Sequence, residues 1–234
     1  MTSQSKVNFL FIHGAGGTKS KWRTLIPYFD NSEYLTVDLP GRGANNEPLA
    51  TSIRANAEAI SKQITSDTIV VGHSMGGLIG IELAAMNEHV KGLALVSSFY
   101  ELPVHPSMLA SFEAGEFPDA LFYASYNKDI DEGLLEIEKR EKDEADMTVV
   151  STDFNACNSY KDGKETLANL SVPVIAIYGE DDRLLPPEAG AKLKAVNEDV
   201  DVHAIAGEKH YIMLENPQLV SELLHQFKEG KVRN

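Results

Sequence analysis

Only one cysteine, Cys157, occurs in the 234 residues, so no intrachain disulfide can form and a reducing, cytoplasmic setting is expected. Positive charge is scarce too: 21 Lys and Arg against 35 Asp and Glu leave a net charge of −14. Such a surface repels phosphates, which argues against nucleic acid and anionic membranes as partners. No apolar run approaches the roughly 20 residues a membrane-spanning helix needs. The N-terminal run from Val7 to Ile12 includes Asn8 and stops at His13-Gly14, too short for the apolar part of a signal peptide. No Cys–His cluster has metal-ligand spacing and the seven histidines are scattered, so no metal is expected. The loop Gly14-Ala15-Gly16-Gly17-Thr18-Lys19 lacks the third glycine of a dinucleotide-binding turn and is not a phosphate loop, so no cofactor is expected either.

Against these absences stands a core-forming chain. Hydrophobic residues make up 43%, and the length suits one large α/β domain with an insertion. Short apolar runs at 7–12, 34–37, 68–72, 93–96, 173–178 and 200–205 read as buried strands. Between them, 20–30, 52–66, the stretch from Met75, 187–197 and 217–228 read as helices. Alternation of that kind predicts a mostly parallel central sheet with helices on both faces.

The rhythm breaks at 99–160, where no strong strand pattern occurs. The predicted domains are a core of 1–98 and 161–234 and a helical cap or lid insertion at 99–160. That insertion holds 62 residues but 9 of the 18 aromatics. Two readings fit: the rings line a pocket under a lid, or they pack the insertion's own small core. On the first reading Phe99, Tyr100, Phe112, Phe122 and Tyr123 are candidate substrate contacts. In the stretch 129–145, Ile130, Leu134 and Ile137 fall at helical spacing, and the charges around them read as a solvated face.

The most informative five residues are Gly72-His73-Ser74-Met75-Gly76, between a predicted strand and a predicted helix. A serine there sits on a turn so sharp that its hydroxyl leaves the sheet, and the flanking glycines remove side chains that would collide. Serine needs a base in reach, and the base needs an orienting carboxylate. In this architecture the acid and then the histidine follow the serine along the chain. Past the strand at 173–178 lie Asp181 and Asp182, both suitably placed; Asp182 is favoured because Arg183-Leu184-Leu185-Pro186 after it reads as the ordered start of the next loop. Past the strand at 200–205 lies His210, free to reach Ser74. The oxyanion hole is assigned to the backbone N–H groups of Met75 and Ala15. His13 reads as a brace for the glycine-rich loop.

In order along the chain stand Phe11-Ile12-His13-Gly14-Ala15-Gly16, Asp38-Leu39-Pro40-Gly41-Arg42-Gly43, Gly72 to Gly77, Gly179 to Asp182, and His210 with Glu215-Asn216-Pro217. With these pieces the sequence resembles the α/β-hydrolase superfamily over nearly its whole length. The resemblance implies that fold, a cap where 99–160 interrupts the rhythm, and Asp182 as the acid of a Ser74–Asp182–His210 triad. The expected activity is cleavage of a small, partly apolar carboxylic ester through an acyl-enzyme. Two alternatives use the same fold: a lyase or C–C bond hydrolase, which needs a cation near the serine (Arg42, Arg54, Lys19 or Lys128), and a ligand-binding signalling protein.

Overall fold

A computed structural model describes residues 7–232. Strands β1 (Asn8–Ile12), β2 (Tyr34–Val37), β3 (Thr68–His73), β4 (Val90–Val96), β5 (Val174–Gly179) and β6 (Asp201–Ile205) form one sheet, in the order β2-β1-β3-β4-β5-β6. Every pairing is parallel. All six C-terminal strand ends therefore meet at one edge, where loops from distant parts of the sequence converge.

The helices are α1 (Ile53–Ser61), α2 (Met75–Met86), α3 (Pro106–Glu113), α4 (Asp119–Ala124), α5 (Glu132–Asp143), α6 (Met147–Ser159), α7 (Gly163–Ala168), α8 (Ala189–Val196), α9 (Ile212–Glu215) and α10 (Pro217–Gly230). Alternation along the strands divides the core in two. Leu10, Ile12, Val70, Leu93 and Ala176 face the layer of α1, α2, α7 and α8. Phe9, Phe11, Ile69, Val71, Ile175 and Ile177 face α9, α10 and the aromatic cluster of Trp22 and Phe29. Helix α2 is apolar all round, and its first nine residues are buried, because it lies between the sheet and α1.

The stretch 20–30 is not one helix. It forms two short 3-10 turns, Lys19–Trp22 and Ile26–Tyr28. Pro27 has no N–H to continue a helical ladder, and the stretch is held instead by burying Trp22, Leu25 and Phe29. Between β4 and β5 only helices occur among the described residues. Phe112 of α3 stacks on Phe154 of α6 at 4.3 Å, and Phe122, Tyr126 and Leu214 form a separate small cluster. The charged face expected on 129–145 is not wholly solvated. Asp131 caps α5, and Glu138, 1% exposed, is its one buried residue. Its carboxylate is tolerated there because Lys21, Arg23 and Tyr126 all donate to it. No helix among the described residues is long and apolar enough to cross a membrane.

Candidate active site

Ser74 lies between β3 and α2 with φ of 52° and ψ of −118°, a conformation few side chains adopt. The glycines around it are dictated by contact. A Cβ on Gly72 would lie 2.2 Å from the Gly76 carbonyl oxygen, and one on Gly76 would lie 2.3 Å from that of Ile12. The elbow is held from β4: Ser74 N–H donates to Val96 O at 3.0 Å, and Ser98 Oγ donates to Ser74 O at 2.7 Å.

His210 and Asp182 come from the loops after β6 and β5. A Cβ on Gly179 would lie 2.0 Å from Glu208 O, so glycine at the end of β5 lets the two loops touch. His210 Nδ1 lies 2.8 Å from Asp182 Oδ2, with both residues buried. The other oxygen, Oδ1, accepts from Leu184 N–H at 2.9 Å. The neighbouring Asp181 and Glu180 are exposed. His73 supplies a tie that sequence reading missed. Its ring packs 4.8 Å from that of His210, and its Nε2–H donates to His210 O at 3.1 Å. Burial, with the nearby His210, holds His73 well below the usual histidine range, so it stays neutral and keeps that donor role.

The loop after β1 is pinned on several sides. His13 is fully buried; its Nε2 accepts from Leu39 N–H at 3.2 Å, which leaves Nδ1–H to donate to Gly14 O at 2.9 Å. Gly17 N–H also donates to Gly14 O, at 3.2 Å, and Gly16 N–H donates to Asp153 Oδ2 at 2.9 Å. The Ala15 N–H meets no acceptor among the described residues. Met75 opens α2, so its N–H has no partner within the helix.

Ser74, Ala15 and His210 line one cavity of about 770 Å³. Four of the five aromatics expected against substrate lie elsewhere. Phe99 and Tyr100 are buried against each other at 3.9 Å in the packing beneath β4, Phe112 is buried behind Phe154, and Tyr123 is 53% exposed. Phe122 reaches the cavity, joined by Phe117, Tyr126, Val150, Phe154 and Tyr211. The rings thus divide between the helices' own packing and the cavity wall. His105 caps α3 and touches the cavity rim.

Polar residues missed by the sequence reading form the wall beside His210. Lys21 Nζ bonds Glu138 at 2.5 Å and Glu141 at 2.7 Å, and Arg23 joins the same two carboxylates. Tyr126 stacks on Tyr211 at 4.7 Å, and Lys21 lies over the Tyr211 ring. Burial works against the Lys21 charge, but Tyr211, Glu138 and Glu141 outweigh it and raise its pKa. One signal was readable in advance: Glu138 follows Leu134 by four residues on the apolar stripe of α5. The four cations named for a lyase are paired with carboxylates or lie outside the cavity. Arg42 is ion-paired with Asp153, both essentially without solvent, while Lys19 and Arg54 are exposed and paired with Asp38 and Glu58. Lys128 is exposed and does not line the cavity.

An alpha/beta hydrolase family model matches residues 9–223. The chain belongs to the alpha/beta hydrolase family. It is 26% identical over 238 residues to a pimeloyl-(acyl-carrier protein) methyl ester esterase of Neisseria meningitidis serogroup C, covering 94% of this chain and 92% of that one. An esterase from Exiguobacterium antarcticum superposes with a TM-score of 0.85 at 16% identity, covering 97% of this chain and 93% of the other. A lipase-esterase related protein from Clostridium acetobutylicum gives 0.84 at 20%, covering 96% and 95%. At those identities the two structures speak for the fold alone. This family member is a carboxylesterase-like hydrolase.

Proposed function

We propose that the protein hydrolyses a small, partly apolar carboxylic ester, with Ser74 as nucleophile, His210 as general base and Asp182 as the group that orients it. The observation that carries this reading is the buried 2.8 Å contact of Asp182 with His210 Nδ1, beside a cavity that His210 shares with the strained Ser74. Bonding to Asp182 fixes the ring tautomer and leaves Nε2 to take the serine proton. Attack on the carbonyl gives a tetrahedral oxyanion, which the Ala15 and Met75 amides bind; each such donor contributes roughly 3 kcal/mol. His210 then protonates the leaving alcohol, and water, deprotonated by His210, releases the acid from the acyl-enzyme.

The remaining helices fill supporting roles. Residues 99–160 act as a cap over the core of 1–98 and 161–234, and Phe122 with its neighbours forms the apolar side of the pocket. The cap carries 14 acidic residues and 4 basic ones, −10 of the chain's −14. That field favours an uncharged substrate and opposes any acidic carrier that would have to dock on it. The relatives named for a carrier-borne methyl ester therefore point to the bond cleaved more than to the carrier. Treatment with a fluorophosphonate, followed by peptide mass mapping, should place the adduct on Ser74 and abolish esterase activity. An adduct elsewhere, or full activity in Ser74→Ala, would overturn the assignment.

A further inference from the structure

We infer that Asp153, which the cap helix α6 carries, is a positioning residue of the oxyanion loop; this rests on the triad reading above. The argument concerns two peptide units. The unit joining Gly14 to Ala15 carries the Ala15 N–H at one end and the Gly14 carbonyl at the other. In a trans peptide these point in opposite directions, so whatever holds the carbonyl aims the N–H. His13 Nδ1–H and Gly17 N–H hold that carbonyl. The next unit, joining Ala15 to Gly16, presents the Gly16 N–H, and its acceptor is Asp153 Oδ2 at 2.9 Å. His13 and Gly17 belong to the loop itself. Asp153 alone comes from the cap, 137 residues away in sequence.

The loop cannot hold this shape by its own stiffness. Gly16 has φ of +65°, and a Cβ there would lie 3.0 Å from Val150 Cγ2 on the same cap helix. Gly16 lets α6 seat against the loop, and together with Gly17 it leaves the backbone free to swing. A carboxylate acceptor offsets that freedom with a charge-assisted bond. Its charge is tolerated because Oδ1 meets Arg42, which also donates to Asn56 Oδ1 at 3.3 Å and Ala50 O at 3.1 Å. Asp153 is thus divided between two duties, one oxygen per partner.

An uncharged, near-isosteric pair of double variants separates the duties. In R42M/D153N the amide oxygen remains to accept from Gly16; in R42M/D153L it does not. Kinetics on a p-nitrophenyl ester should show kcat about 10-fold to 100-fold lower for the leucine variant, with KM within about threefold. Affinity for an alkylboronic acid, which forms a tetrahedral adduct on Ser74, should fall by the same factor as kcat. Inhibition by a simple aliphatic alcohol, which brings no anionic oxygen to the loop, should not move. D153N alone should be as poor as D153L, since one amide cannot accept from Gly16 without presenting its NH2 to Arg42. Equal kcat and equal boronate affinity in the two doubles would overturn the inference, as would failure of both doubles to fold, which would make the pair a structural tie only. A wild-type enzyme that forms no boronate adduct on Ser74 would instead overturn the triad reading.

Discussion

The sheet core and the helical segment 99–160 bury polar groups for different ends. In the core, the buried His13, His73, Ser98, Asp182 and His210 lie at or just past strand ends, and every one shapes the site through a hydrogen bond within the core. In the segment, the buried Glu138 and Asp153 have their charge partners in the core, Lys21, Arg23 and Arg42. The segment brings the anions and the core brings the cations. The core is therefore held by apolar packing on both faces of a parallel sheet. The segment joins it partly by apolar packing, through Phe99, Tyr100, Ala156, Cys157 and Tyr160, and partly by ion pairs beside the cavity, which makes the cavity side the more separable part of the join.

Four experiments test that contrast. The largest effect belongs to the core: Asp182→Asn should lower kcat on the order of 10⁴-fold through the wrong His210 tautomer, while Asp181→Asn, on an exposed side chain, should leave it unchanged. Steady-state rates decide it; a large loss in Asp181→Asn would move the acid. Next comes one substitution made in both regions. Gly72→Ala puts a methyl group 2.2 Å from Gly76 O and should cost about 3 kcal/mol or more in a denaturant titration. Gly115→Ala, in the segment, also has a positive φ but meets nothing within 4 Å, and should cost about 1 kcal/mol. Similar costs would deny that the two regions differ in tightness.

Third, Glu138→Gln leaves Lys21 and Arg23 with Glu141 alone and should cost about 3 kcal/mol. The distinguishing readout is where the loss falls. Limited proteolysis should cut within 99–160 first while hydrogen exchange in the strands stays slow; uniform loss of protection would make the join inseparable from the core.

The smallest effect concerns Glu215, whose carboxylate accepts from Asn127 N–H at 3.0 Å where the segment meets the loop after β6. Burial, reinforced by Glu208 and Asp129, raises its pKa to about 7. A raised carboxyl pKa means that the folded chain holds this proton more tightly than the unfolded one. The group is therefore no burden below the ordinary glutamate range near pH 4.5, and stability falls as pH rises through 7. Glu215→Gln should melt about 2 °C above wild type at pH 8, with the gain vanishing near pH 4. A gain that persists unchanged in acid would assign the effect to packing.

Much of this was legible from residue order. Six apolar runs became six parallel strands, and Gly72, Gly76 and Gly179 stand where backbone approaches backbone too closely for any Cβ. The turn at 20–30 was misjudged because apolar spacing does not report a proline's missing N–H. The substrate aromatics were misjudged for a different reason. Phe99, Tyr100 and Phe112 are as apolar as Phe122, and composition does not say which ring faces a void and which faces another ring.

Local rules and chain order therefore determined the sheet, the elbow at Ser74 and the candidates Asp182 and His210, since each depends on a strand end and the loop beside it. Tertiary structure alone decided the pairings across the cavity: Glu138 with Lys21 and Arg23, Asp153 with Arg42 and Gly16, His73 with the His210 carbonyl. A charged side chain reads as solvated until a partner more than a hundred residues away is folded against it, and only that partner makes its burial affordable.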